Sequence, residues 1–331
     1  MRKKIGKSGI EVSGLGMGCW AIGGPFTLDG LADGWGAVDD WQSIAAIHCA
    51  LDAGIDFFDT ADVYGTGHSE KLIGAAVKGR RDRVVLATKF GYAYEEDTKE
   101  AWTRYDVSPA YIRQACERSL KRLQTDYIDL YQIHVGVLSE EETRSAIGAL
   151  EQLKRDGLIR SYGWSTWDPS CAKRFAAQSG GDAIQHTLNV LNDPAELVDV
   201  CESGGLASIN NTPLAMGLLS GKFDASSRLP ADDVRGSGHS WVTYFKDGAP
   251  VPSMLNRLDN IREALTEGGR TLAQGALGWI WARSDAAIPI PGIRTEKQAE
   301  ELAQAMAYGP LPEARMNEIR DLLRAGIGAG E

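Results

Sequence analysis

The stretch IDFFDTADVYGTG, residues 55–67, passes from an apolar run into polar residues, with Asp59 at the change-over and Tyr64 five residues later. That pattern describes a buried strand opening into a loop. Just before it, Ile44, Ile47 and Leu51 recur at helical spacing and stop at Gly54, a residue suited to the left-handed cap after a helix. The order is helix, glycine turn, strand, charged loop. In an α/β protein, a carboxylate and a phenol at the carboxyl end of a strand stand where chemistry is done.

Seven further stretches of strand length accompany this one: GLGMGCW (14–20), VVLATK (84–89), YIDLYQIH (127–134), LIRSYGWS (158–165), DAIQ (182–185), LASINN (206–211) and AAIPIP (286–291). Helical patterns lie between them, with recognisable ends. Ser108 and Pro109 can cap and begin one helix, Ser139 and Glu142 form a capping box for the next, and Gly157 can close it. No Ser/Pro/Gly-rich linker divides the 331 residues. Eight alternating units in one undivided chain predict a (β/α)8 TIM barrel, a single domain over 1–331. Two connections exceed ordinary barrel loops, residues 21–40 after the first strand and 222–253 after the seventh. Both fall on the presumed active face, which makes Trp20, Trp35 and Trp241 candidate walls of a substrate cavity.

Composition narrows the function classes. A net charge of -10 argues against a polyanionic partner such as nucleic acid, though not against a local basic pocket for one phosphate. No apolar run of about 18 residues exists to span a membrane, and the start MRKKIGKSGIEVSGLG has no signal-peptide core, so a cytoplasmic location is expected. The cysteines at 19, 49, 116, 171 and 201 form no CxxC pair and read as buried or half-buried thiols. Gly14, Gly16 and Gly18 are followed by Cys19, which is no dinucleotide fingerprint. The histidines at 48, 68, 134, 186 and 239 show no metal-ligand spacing, so no metal is expected.

In a barrel, Asp59, Tyr64, Lys89 and His134 converge on one face. A phenol near pKa 10 donates a proton poorly at neutral pH unless its phenolate is stabilised, and an adjacent Lys89 ammonium would stabilise it. Asp59 would keep Lys89 charged, and His134 could hydrogen-bond the reacting oxygen. These groups supply a proton and oxyanion stabilisation, which carbonyl reduction needs beside a hydride.

The strings FFDTADVYGTGHSEKLIG, LATKFG, SLKRLQTDYIDLYQIH, LKRDGLIRSYGWST and PLAMGLLSGKF, in this order, resemble the aldo-keto reductases. The resemblance runs from about Lys4 to Leu302 and is nearest to the bacterial branch that also resembles the voltage-gated potassium channel β subunits. It implies a barrel that uses NADPH or NADH without a Rossmann domain, and a tetrad of Asp59, Tyr64, Lys89 and His134 with Tyr64 as general acid. It places Gly18, Cys19, Trp20 and Asp59 beside the cofactor. Ser165 and Gln185 would hold the carboxamide, with Thr166 where the family has Asn, and Asn211 stands where an aromatic ring commonly stacks on the nicotinamide. Pro213, Leu214, Gly217, Leu219, Gly221 and Lys222 would follow the pyrophosphate. Gly292, Arg294, Thr295, Gln298 and Glu301 would form the adenosine turn, with Leu302 replacing the usual Asn. A planar guanidinium at Arg294 suits a ribose 2'-phosphate, which favours NADPH and leaves NADH open. Trp20, Tyr64, Tyr92, His134, Trp167 and Trp241 would face a small carbonyl substrate. The leading expectation is reversible reduction of an aldehyde or ketone, sugar-derived ones included. An NAD-dependent sugar or alcohol dehydrogenase on the same barrel, and a cofactor-binding regulatory subunit with little turnover, stay open, as does the oligomeric state.

Overall fold

The computed structural model describes residues 1–325; residues 326–331 of the unit expected over the whole chain lie outside the described residues. All eight expected strands form: β1 Gly16–Gly18, β2 Phe57–Asp59, β3 Val85–Phe90, β4 Ile128–Ile133, β5 Ile159–Ser165, β6 Ala183–Thr187, β7 Ala207–Asn211 and β8 Ala287–Pro289. They pair in parallel in chain order. Closure comes from Gly18, whose N–H donates to Pro291 O at 2.8 Å and whose backbone bridges to Gly292. A Cβ at Gly18 would lie 2.6 Å from Ile290 O, so only glycine lets the first and last strands meet.

The helix starts are as their residues predict. Ser108 caps Pro109–Leu123 and Ser139 with Glu142 makes the capping box of Glu140–Arg155. Helices cover the outer faces of the strands, and Leu86, Tyr131, Ile133 and Ile184 belong to that outer core. The barrel interior is filled by Phe57, Val85, Ala87, Leu130, Ala183, Ala207, Ile209 and Ile288, plugged from below by Ile5, Ile10 and Val12 around an N-terminal hairpin. Because side chains alternate with period two, the next inward positions above Phe57, Ala87, Leu130 and Ala183 are Asp59, Lys89, Gln132 and Gln185. Four polar groups therefore end four apolar stripes at the same level.

The long connections are more ordered than their composition suggests. Residues 21–40 contain a hairpin, Thr27–Leu28 with Leu31–Ala32, which joins a second hairpin, Tyr92–Glu95 with Glu100–Tyr105, in a four-stranded sheet. The second hairpin escapes the sequence reading because its strands are mostly charged or half-exposed and carry little apolar alternation. Residues 222–253 hold a short pair, Phe245–Lys246 with Ala249–Pro250, and the helix Pro252–Thr266 begins inside the expected loop. The two connections touch: Trp35 bridges to Asp233, and Val234 N donates to Gly34 O at 2.8 Å.

Candidate active site

Lys89 is the hub of the mouth. Its Nζ donates to Asp59 Oδ1 at 2.6 Å, to Thr60 O at 2.9 Å and to Tyr64 OH at 3.2 Å, and its side chain is fully buried. Asp59 Oδ2 also accepts from Gln132 Nε2 at 3.0 Å and Gln185 Nε2 at 2.8 Å, so the carboxylate is held by three side-chain donors. Burial alone would lower the Lys89 pKa, but Asp59 and Tyr64 outweigh it and the ammonium ends above its ordinary value. Tyr64 comes from the loop after β2. That loop needs glycine at 65, where φ is +58° and a Cβ would stand 1.7 Å from Gly23 O.

Tyr64 does not behave as its neighbours alone predict. Burial raises the phenol above its ordinary pKa, and the lowering by Lys89 only partly offsets this. The group stays protonated at neutral pH rather than becoming an easy phenolate. His134 follows β4, and burial, aided by Lys89, holds its pKa well below the usual imidazole value. It is therefore neutral, with ring Nδ1 buried and unpartnered among the described residues. The His134 ring meets Tyr64 edge-on at 5.7 Å and Tyr92 at 5.2 Å. Trp20 stacks on Tyr64 at 5.9 Å and also contacts Trp35 at 5.2 Å and Trp241 at 6.0 Å. Of the aromatic residues expected to face the substrate, Trp20, Tyr64, Tyr92, His134 and Trp241 pack in one connected group, whereas Trp167 is 67% exposed with its ring lying over Gly136.

A second feature runs from β7 to the turn after β8. The segment Ala215–Ser220 turns with positive φ at Ala215, Met216 and Gly217 and presents backbone, while the Leu219 side chain is buried in the core. Around it stand Lys222, Arg235 and Arg294 with, among the described residues, one carboxylate, Asp233, which binds Arg235 through both oxygens at 2.8 and 2.6 Å. Desolvation, and then the like charges of Arg235 and Arg294, set the Lys222 ammonium below its ordinary pKa. A chain of net charge -10 thus carries a cluster here in which cations outnumber the carboxylate among the described residues.

A model of the aldo/keto reductase family matches residues 15–324. The chain belongs to this family. Among relatives of this aldo/keto reductase, aldo-keto reductase YhdN of Bacillus subtilis is 34% identical over 311 residues, 92% of this chain and 88% of its own. The NADP(+) aldo-keto reductase yakc of Schizosaccharomyces pombe is 30% identical over 329 residues, 96% of this chain and 90% of its own. Among solved structures, the glycerol dehydrogenase AKR11B4 of Gluconobacter oxydans superposes with a TM-score of 0.84 at 27% identity, covering 100% of this chain and 97% of that one.

Many residues that the resemblance assigns to the cofactor make hydrogen bonds within the aldo/keto reductase itself. The Thr166 hydroxyl donates to Gly136 O at 2.5 Å and accepts from Asp168 N, so its proton is committed to the backbone and one lone pair remains. Gln185 gives its amide hydrogens to Asp59 and Gln132 and keeps Oε1. The Cys19 thiol is buried against Met17 O, so only the backbone of that residue is presented. Asn211 accepts from Thr187 Oγ1 at 2.9 Å, tied to the neighbouring strand. Arg294 Nη1 and Nη2 donate to Trp35 O at 2.9 Å and Ala37 O at 2.5 Å, pinning the first connection over the turn. Thr295 caps the helix Glu296–Tyr308, Gln298 accepts from Arg294 N, and Leu302 packs into the core. Ser165 ends β5 beside Gln185, while Pro213 and Leu214 lead into the turn and Gly221 closes it. Gly292 bridges to Gly18, and Glu301 lies within the helix Glu296–Tyr308, where its backbone carbonyl accepts from Gln274 Nε2 at 2.8 Å. Sequence reading missed Gln132 and Arg235. The first was visible as the inward position two residues before His134; the second lies in a connection with no periodicity to place it.

Proposed function

We propose that this aldo/keto reductase is an NADPH-dependent reductase of small aldehydes or ketones, reversible toward alcohol oxidation. The buried chain Asp59–Lys89–Tyr64 beside a neutral His134 carries the reading. A carbonyl oxygen resting between the Tyr64 hydroxyl and the His134 ring receives a hydrogen bond from each, and the proton moves from Tyr64. Lys89 offsets the charge left on the phenol, and Asp59, fixed by Gln132 and Gln185, keeps Lys89 in place. A nicotinamide cofactor, when bound, supplies the hydride. The residues fit such a cofactor best at its phosphates, where Lys222, Arg235 and Arg294 outnumber Asp233, and a relative carries NADP(+) in its name. At the carboxamide end the described residues offer the Ser165 hydroxyl and Gln185 Oε1.

Titration with NADPH and with NADH, followed by tryptophan fluorescence, tests the cofactor. Micromolar NADPH binding with much weaker NADH binding is the expected result; equal affinity would overturn the phosphate-reading role of the cluster. Consumption of NADPH against a panel of aldehydes and ketones then tests the reaction.

The raised pKa of Tyr64 sets the pH dependence. Reduction needs the protonated phenol, which persists through the neutral range and past the ordinary value near 10, so its chemical step should be flat there. Oxidation needs the deprotonated form, whose fraction grows with pH, so alcohol turnover should climb steadily into the alkaline range. Initial rates in both directions across pH check this; an oxidation rate that peaks near neutrality would contradict it.

A further inference from the structure

A buried ion pair behind the tetrad takes no part in the chemistry described above. Glu70, in the first turn of the helix His68–Ala76, and Arg122, in the last turn of Pro109–Leu123, are both buried and meet at 2.6 Å between Oε2 and Nε. Apolar replacement of such a pair is often neutral or stabilising, so stability alone is a poor account of it. Its other contacts run to the two segments that carry the reacting groups. Glu70 Oε1 accepts from Thr88 Oγ1 at 2.6 Å, and Thr88 is the residue before Lys89. A Cβ at Gly67 would lie 2.8 Å from Arg122 Cδ, so the end of the Tyr64 loop rests on the arginine stem. The same loop carries Asp62, buried with both carboxylate oxygens unpartnered among the described residues. Burial and then the Glu70 charge push the Asp62 carboxyl well above the usual range, and Arg122 is the foremost influence opposing them. Outward, Arg122 Nη1 donates to Glu96 Oε1 at 3.0 Å, in the turn of the hairpin whose Tyr92 meets His134.

Resting on the reductase reading above, we propose that Arg122 is a positioning residue of the reaction, which with Glu70 seats the loop that presents the Tyr64 hydroxyl to Lys89 and to the carbonyl oxygen. Of the three bonds that Lys89 Nζ donates, the one to Tyr64 is the longest, at 3.2 Å against 2.6 and 2.9 Å, so it is the first to be lost if the loop shifts. Removing the guanidinium takes away the surface on which Gly67 rests. It also leaves the Glu70 and Asp62 carboxyls facing each other, with Arg118 as the remaining cation near Asp62 among the described residues. Movement of the loop relieves that repulsion and carries Tyr64 with it. Arg122 thus acts through Tyr64 and touches no reacting atom.

Arg122→Met should lower kcat about tenfold to a hundredfold, the loss that a displacement of about 1 Å at the reacting groups causes, and leave NADPH affinity unchanged. Arg122→Lys, which keeps the charge, should recover most of that rate. In a Tyr64→Phe background Arg122→Met should cost nothing further, because two residues that act through one hydroxyl are not additive. Rates are referred to the folded fraction from denaturant unfolding, so a loss of stability by itself leaves kcat unmoved. A carbon-13 spectrum of labelled tyrosine rings adds a readout that needs no turnover. The Tyr64 resonance, identified by its absence in Tyr64→Phe, should shift in Arg122→Met as its stacking on Trp20 changes, and return in Arg122→Lys. Glu70→Gln, which keeps an acceptor for Thr88 and drops the charge, carries the same comparison if Arg122→Met does not fold. An unchanged kcat, an unmoved resonance, or an equal loss in the Tyr64→Phe background would overturn the proposal and leave the pair a purely structural one. Wild-type protein that reduces no carbonyl while the resonance shifts would overturn the reductase reading instead, and with it the catalytic purpose of the placement but not the placement itself.

Discussion

Tyr64→Phe should lower carbonyl turnover by about a hundredfold to ten-thousandfold, the range over which a positioned general acid contributes. The substitution removes one oxygen whose recorded partner is Lys89 at 3.2 Å, and the ring can keep its stacking on Trp20 and its edge contact with His134. Stability should therefore change little and NADPH should still bind. The loss should sit in kcat rather than in KM for the carbonyl, since the hydroxyl acts on charge that develops in the transition state. Steady-state kinetics beside a cofactor titration separate these effects. Turnover within about threefold of wild type would remove Tyr64 from the role of proton donor.

Lys89→Met is expected to damage both rate and fold. Without the ammonium the buried phenol loses the one charge that opposes its desolvation, so kcat should fall by on the order of a hundredfold or more. The structural cost arises on the other side of the pair. Asp59 would be left buried with Gln132 and Gln185 as its side-chain donors among the described residues, and breaking a buried ion pair by removing one partner costs about 3–5 kcal/mol. Denaturant unfolding should register a loss of that order. The double variant Asp59→Asn with Lys89→Met should recover most of the stability, because no unpaired charge remains, and none of the activity. A double variant as unstable as the single one would show that packing around Lys89, rather than its charge, accounts for the loss.

Much of this was legible in the chain because it depends on local periodicity. The eight strands, the capping box at Ser139 and Glu142 and the position of Asp59 at a strand end all follow from alternation and from residues with fixed conformational preferences. That Lys89 is inward and buried follows from the same period once β3 is located.

What the tertiary structure alone decided concerns groups whose partners are distant in sequence. Thr166 offered a hydroxyl for a cofactor, yet its proton goes to Gly136 O, and Arg294, besides its charge beside Lys222, ties down the first connection through the carbonyls of Trp35 and Ala37. Tyr64 beside Lys89 reads as a phenol of lowered pKa, and it is burial, a property of the whole fold, that reverses the direction. The meeting of Asp33 with His239 and the Arg235–Asp233 pair depend on two long connections folding onto each other. Periodicity fixes which face a side chain takes on its own strand; desolvation and long-range contacts exist only after the strands close into a barrel, and they determine the charge and hydrogen-bonding freedom of the same residues.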